Sequence, residues 1–130
     1  MRYLLDTHTL IWSQEDPGRL SDRVITALSD PLNDRFVSMV SIWEIGIKVA
    51  LGKLPLAKAF RSWIDKALAD LVCSVLPITL EHVERMGSLP FHHRDPFDRM
   101  LIAQALVENI PLLGADAQFD AYGINRAWSE

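Results

Sequence analysis

The sequence predicts an α/β domain with a mainly parallel sheet covered by helices on both faces. Short apolar runs alternate with helix-patterned stretches along the whole chain, the order that builds parallel sheets. The length, 130 residues, fits a single domain spanning 1–130 with a sizeable core. No repeat, low-complexity segment or linker divides it.

Arg2-Tyr-Leu-Leu reads as the first strand, and Asp6 follows at its carboxyl end. Open α/β sheets bind ligands at that edge. Asp6 also suits the N-cap of the helix holding Leu10, Ile11 and Trp12, and the two roles are compatible. After the Asp16-Pro-Gly turn, Ser21 caps a helix with Val24, Ile25 and Leu28 as its apolar stripe. Arg35-Phe-Val-Ser is the second strand.

A helix is expected from Ser41 to a Gly52 C-cap, with Ile42, Ile45 and Val49 on one stripe. Glu44 lies beside that stripe, one turn before Lys48. It is either half of an exposed i,i+4 pair, worth ~0.2–0.5 kcal/mol, or an acid over the sheet edge with Lys48 near a phosphate. Leu56 to Leu71 reads as a long amphipathic helix, its core side made by Phe60, Trp63, Ile64, Ala67 and Leu71. Cys73-Ser-Val-Leu is the third strand. Thr79 then caps a helix through Val83 and Met86, with Glu81, His82, Glu84 and Arg85 as its expected solvated face.

The stretch His92–Leu106 organises the rest. Asp95 reads as an N-cap, Pro96 as the first helical residue and Asp98 as the third. From Met100 to Val107 only Gln104 interrupts an apolar run, so the helix is expected to be buried on more than one face. A first-turn acid satisfies orphan N–H groups and the helix dipole, or it serves as a reagent. The helix stops near Asn109, and Ile110 to Gly114 form the fourth strand, with Pro111 at its start. Asp116 follows that strand. A short helix around Gln118–Asp120 ends at Gly123, and Ile124-Asn125-Arg126 reads as a marginal fifth strand.

Composition narrows the function. Apolar content of 49% and charged content of 23% describe an ordinary globular protein. One cysteine, Cys73, excludes an intramolecular disulfide and reads as a core thiol. Without a membrane-length apolar run or a leader pattern, a cytoplasmic protein is expected. A net charge of -4 does not attract nucleic acid in bulk, unless the excess acid is gathered at a metal site.

The placement of the acids supplies such a site. Asp6 and Asp116 both follow strands at the carboxyl edge, and Asp98 opens the helix just before the strand that leads to Asp116. Glu44 is the member least fixed by geometry. Converging carboxylates cannot all stay ionised without a partner. Mg²⁺ or Mn²⁺ resolves this, because these hard cations prefer oxygen ligands. The sequence offers no convincing Cys, Ser or His nucleophile. A metal role for His8 would need a second well-placed histidine.

Four motifs, LLDTH (4 to 8), SIWEIGIK (41 to 48), HRDPFDRMLIAQA (93 to 105) and ADAQF (115 to 119), resemble the PIN-domain ribonucleases. More narrowly, they are similar to the VapC toxins of bacterial type II toxin–antitoxin operons. Four motifs in order, covering nearly the whole chain, make the resemblance specific. It implies a PIN-like three-layer α/β/α sandwich with a four- to five-stranded sheet, and Mg²⁺- or Mn²⁺-dependent endoribonuclease activity. It assigns catalysis and metal binding to Asp6, Glu44, Asp98 and Asp116, with Asp116 as the weakest ligand. Asp95 becomes a supporting residue or a cap. Lys48, Arg94, Arg99, His92 and His93 become candidate RNA or phosphate contacts. The resemblance also implies a homodimer and a VapB-like antitoxin, whose tail would lie in a hydrophobic groove. Trp12, Trp43, Ile47 and Trp63 are groove candidates, or plain core.

Other readings fit less well. A phosphatase with an aspartyl nucleophile wants a second Asp two residues after Asp6, where His8 stands. A receiver domain wants adjacent acids near the first strand. A catalytically inactive PIN-like scaffold that only binds a partner is the alternative the intact acids speak against.

Overall fold

A computed structural model describes residues 1–129. Five parallel strands form one sheet in the order β3-β2-β1-β4-β5. They are β1 (Arg2–Leu5), β2 (Asp34–Ser38), β3 (Cys73–Leu76), β4 (Leu112–Leu113) and β5 (Arg126–Ala127). Six α-helices join them: α1 (Thr7–Glu15), α2 (Asp22–Ser29), α3 (Met39–Ala50), α4 (Phe60–Asp70), α5 (Leu80–Ser88) and α6 (Pro96–Glu108). The expected three-layer α/β/α sandwich with a parallel sheet is what forms.

Alternation along the strands divides the interior in two. Leu5, Val37 and Leu113 pack with α1, α2, α4 and Ile45 of α3. Leu4 and Leu112 point the other way, to α6, Leu89, Phe119 and Val40 of α3. Strand β1 lies between β2 and β4, so the chain builds one half of the sheet and then crosses to the other side of β1. That crossing is a topological switch point. It opens a crevice at the carboxyl ends of the strands.

Several boundaries depart from the sequence reading. Helix α3 begins at Met39, because the Ser38 hydroxyl accepts the Val40 N–H at 3.0 Å and caps the helix early. The expected start at Ser41 thus lies two residues inside the helix. Helix α4 begins at Phe60 rather than near Leu56, since the Ala57 N–H is held by Glu15 at 2.9 Å and the segment packs as a loop. The fifth strand is shifted to Arg126–Ala127. Cys73 lies half-buried on the outer strand rather than in the core, and desolvation pushes its thiol up to about 11.

The expected solvated face of α5 is wrong at His82, which is fully buried. Its Nδ1 accepts the Thr79 N–H at 3.0 Å while its own N–H donates to the Thr79 hydroxyl, closing a capping box. Its Nε2 meets Glu108 of α6 at 2.9 Å. Gln104, the polar interruption in α6, is buried beside it and donates to the Pro77 carbonyl at 3.3 Å.

These contacts make His82 a tie between α5 and α6. We expect His82→Ala to destabilise the fold by about 3 kcal/mol in chemical denaturation, through the lost cap and the cavity. The exposed neighbour Glu84→Ala should stay within ~0.5 kcal/mol of wild type. Equal effects would refute the tie.

Candidate active site at the sheet edge

Asp6 follows β1 directly and takes the N-cap position of α1, but its side chain makes no cap hydrogen bond. The flanking threonines do the anchoring. Thr7 donates to the Ser41 hydroxyl of α3 at 2.8 Å, and Thr9 donates to the Leu113 carbonyl at 2.8 Å. Asp6 is thus left nearly fully buried. A Cβ added to Gly114 would lie 3.0 Å from the Asp6 Cβ, so glycine is what admits Asp6 to this edge.

Glu44 reaches the same region from α3, and it too is nearly fully buried. The Glu44–Lys48 ion pair exists, with 2.7 Å between Nζ and Oε2, but it is not a surface pair: the carboxylate is buried and only the lysine is partly exposed. Hydrogen bonding to Glu44 holds the lysine above its usual pKa.

The start of α6 matches its sequence reading. Asp95 is the N-cap, and its Oδ1 accepts the N–H groups of Phe97 at 2.8 Å and Asp98 at 3.4 Å. Asp98 is free of that duty and turns to His93, 3.0 Å from Oδ2 to Nε2. Asp116 caps the 3₁₀ segment Ala117–Tyr122 through Oδ1, which accepts the Gln118 N–H at 2.9 Å. Its Oδ2 lies 3.6 Å from the same histidine nitrogen.

The four acids therefore share one crevice. Desolvation raises the Asp6 carboxyl to about 7, opposed by the Thr7 N–H and reinforced by Glu44 and Asp116. Desolvation likewise raises Asp98 to about 7, with the charges of Asp6 and Asp95 adding to it. Among the described residues, Asp6 Oδ1 and Glu44 Oε1 are buried oxygens without a hydrogen-bond partner. Unsatisfied buried carboxylate oxygens are costly and rare. Two of them beside two further carboxylates fit a divalent cation with a preference for oxygen. A cleft of about 240 Å³, lined by Asp6, His8, Trp12, Ala115 and Asp116, gives access from solvent.

The other candidates divide. Arg94 and His92 are exposed, His92 with its ring edge on Tyr122. Arg99 is a correction: it is buried, and its guanidinium donates to the carbonyls of Met86, Leu89, Pro90 and His93 at 2.9–3.3 Å. With four of its five N–H donors given to main-chain carbonyls, this fork is turned inward, away from an RNA backbone. His93 also faces inward, with both ring nitrogens engaged. His8 is exposed, its Nδ1 4.0 Å from Asp6 and its ring against Trp12. Trp63 is core, whereas Trp43 is 59% exposed and leans on Phe97. Sequence reasoning missed Gly114 and the inward roles of Arg99 and His93. For Gly114 the signal was its place between the apolar run and Asp116; for Arg99 and His93 no local signal existed.

A parallel sheet with carboxylates gathered at its switch point defines an α/β domain with a candidate cation site. The chain belongs to the PIN-domain family, whose model matches residues 3–125. Its fold is similar to that of a chain in VapBC2 from Rickettsia felis bound to a promoter DNA fragment, at 16% identity and TM-score 0.76, covering 99% of this chain and 100% of that one. It is also similar to a chain in VapBC-1 from nontypeable Haemophilus influenzae, at 18% identity and TM-score 0.65, covering 98% and 97%. A chain in FitAcB from Neisseria gonorrhoeae matches at 20% identity and TM-score 0.63, covering 95% of each. No curated protein sequence matches the chain.

Two expectations follow. Asp6 and Asp98 titrate near 7 in the folded, metal-free chain, against 3.8 for a free aspartate. The native state then binds more protons than the unfolded state across that window, so its stability falls as pH rises from roughly 4 to roughly 7. The melting temperature of chelated protein should be lower at about pH 8 than at about pH 5, with a shallower fall in Asp6→Asn. A flat profile would contradict the burial of these charges. Separately, Arg99→Lys should cost about 2–3 kcal/mol of folding stability, because an ammonium cannot span four carbonyls. Unchanged stability would return Arg99 to the surface set.

Proposed function

We propose that this chain is a metal-dependent endoribonuclease and the toxin of a type II toxin–antitoxin pair. The observation that carries the reading is the pair of buried, unpartnered oxygens on Asp6 and Glu44, set at the switch point of a PIN fold. Asp6, Glu44 and Asp98 would hold Mg²⁺ or Mn²⁺, with Asp116 contributing from the more exposed rim. A divalent cation held by these residues would supply activation of a water and offset charge on the phosphodiester. Hydrolysis joins the water oxygen to phosphorus and releases one ribose oxygen with a proton.

The protein residues have separate tasks in this reading. The carboxylates must be ionised together, which their raised pKa values make a demand on the cation and on pH. Lys48 keeps Glu44 oriented and turns a partly exposed ammonium toward solvent, where a phosphate can approach. Arg94 and His92, exposed before α6, would contact the RNA backbone in this reading. Asp95 supports Asp98 by fixing the backbone that carries it.

An antitoxin partner is read by analogy with the VapBC and FitAcB assemblies; a homodimer of this chain and a cytoplasmic site of action rest on the sequence resemblance alone. Among the described residues no helix is long and apolar enough to cross a membrane. Trp43, with Phe97 and the half-buried Ile47, is the most open of the apolar groove candidates.

The test is cleavage of total cellular RNA by antitoxin-free protein, with Mg²⁺ or Mn²⁺ and with chelator. We expect cuts at a few positions, abolished by chelator, and reduced on the order of 100-fold or more in Asp6→Asn or Asp98→Asn while both variants stay folded. Either variant cutting at the wild-type rate would remove that residue from the catalytic set. A folded, metal-binding protein that leaves all RNA intact would favour the partner-binding scaffold.

A further inference from the structure

His93 sets one side-chain nitrogen between two of the acids, 3.0 Å from Asp98 and 3.6 Å from Asp116. One ligand atom from each of His93, Asp98 and Asp116 lies within 4.8 Å of the others, an arrangement that invites description as three metal ligands. The other side of the ring argues against it. Nδ1 accepts the backbone N–H of Asp95 at 3.2 Å. A neutral imidazole has one donor and one acceptor nitrogen. With Nδ1 accepting, the proton resides on Nε2, the nitrogen facing the acids. Ligation through Nε2 would move that proton to Nδ1 and set it against the Asp95 N–H, two donors head to head. Metal-bound histidines show the reverse pattern, donating their second N–H to a carbonyl or carboxylate.

The ring is also held in place. Its side chain is only 13% exposed and packs on Phe119. Its own backbone N–H donates to the Tyr122 hydroxyl at 2.7 Å, and that hydroxyl donates to the Pro90 carbonyl at 2.9 Å. Its carbonyl accepts from Arg99. A ring fixed on both sides cannot easily exchange its two nitrogens.

We propose that His93 is a positioning residue: a fixed Nε2–H donor that holds Asp98 and steadies it against Asp116, without ligating the cation itself. The proposal rests on reading this crevice as a cation site. Its logic is electrostatic. Two carboxylates brought together need a proton donor between them, and a neutral imidazole supplies one without adding a positive charge that would repel the ion. Asp95 sits at the centre of the device. Its backbone N–H sets the histidine tautomer while its carboxylate caps the turn that carries Asp98. The cation then meets oxygen donors only, so losing His93 should weaken Mg²⁺ and Mn²⁺ alike rather than change the preference between them.

Three measurements test this. Nitrogen NMR of the metal-free protein should find His93 as the Nε2–H tautomer; the Nδ1–H tautomer overturns the proposal without reference to any ion. Pulsed EPR of the Mn²⁺ complex should show no coupling to a directly bound imidazole nitrogen, and such a coupling, lost in His93→Ala, makes His93 a ligand. Calorimetry should show His93→Ala weakening both ions by about 10–100-fold at an unchanged ratio, with His93→Gln, which keeps an amide donor, recovering most of the loss. Unchanged affinity in folded His93→Ala refutes positioning, and so does a weakening confined to Mn²⁺. A wild-type protein that binds neither ion overturns the cation-site reading itself, and the proposal with it, whatever tautomer the ring adopts.

Discussion

Burial of the Asp6 carboxylate at the end of β1 is the constraint on which the surrounding structure depends. A charge there is disfavoured by desolvation and by its acidic neighbours, and the backbone is built to keep it there regardless. Thr7 and Thr9 fasten the start of α1 to α3 and β4, and Gly114 gives way to the aspartate side chain. No stability argument calls for this arrangement, since a buried unpaired acid weakens a fold. The disposition makes sense when a ligand supplies the missing positive charge, as local conflicts in folded proteins collect at functional sites.

The loop before α6 answers the same problem by different means. Here the acids are not left unpaired but are given donors: main-chain N–H groups to Asp95, an imidazole to Asp98, another N–H to Asp116. Arg99 braces this loop from beneath by donating to four carbonyls, of which Met86 also accepts the Leu89 N–H and Pro90 the Tyr122 hydroxyl. One side of the crevice is thus electrostatically starved and the other is supplied.

Much of this was legible in the sequence where one stretch decides its own structure. The strand cores, the Ser21 cap and the Asp95-Pro96 helix start follow from local pattern, and all three stand in the structure. The acids followed from strand and helix ends together with motif order. Legibility stopped where partners come from afar. His82 reads as surface beside Glu81 and Glu84, and only Glu108, 26 residues on, explains its burial. Arg99 reads as a basic residue near acids, and only the path of the preceding loop turns it inward. Helix α4 lost its first turn to a carboxylate in α1, an interaction no propensity records.

The position of β1 in the sheet has one more consequence. It is made first, yet it lies between two strands, one of them β4, with which Leu4 and Leu5 pair only across Leu112 and Leu113. Asp6 and Asp116 stand 110 residues apart in sequence. During synthesis the central strand must therefore wait, half paired, until nearly all of the described chain has emerged. Long-range parallel pairing of this kind is slow, because loop closure comes before its reward. The acids cannot assemble on a partial chain. A truncated or stalled product carries Asp6, Glu44 and even Asp98 without the strand that sets the crevice, so whatever chemistry the edge performs begins only once the last crossover is made.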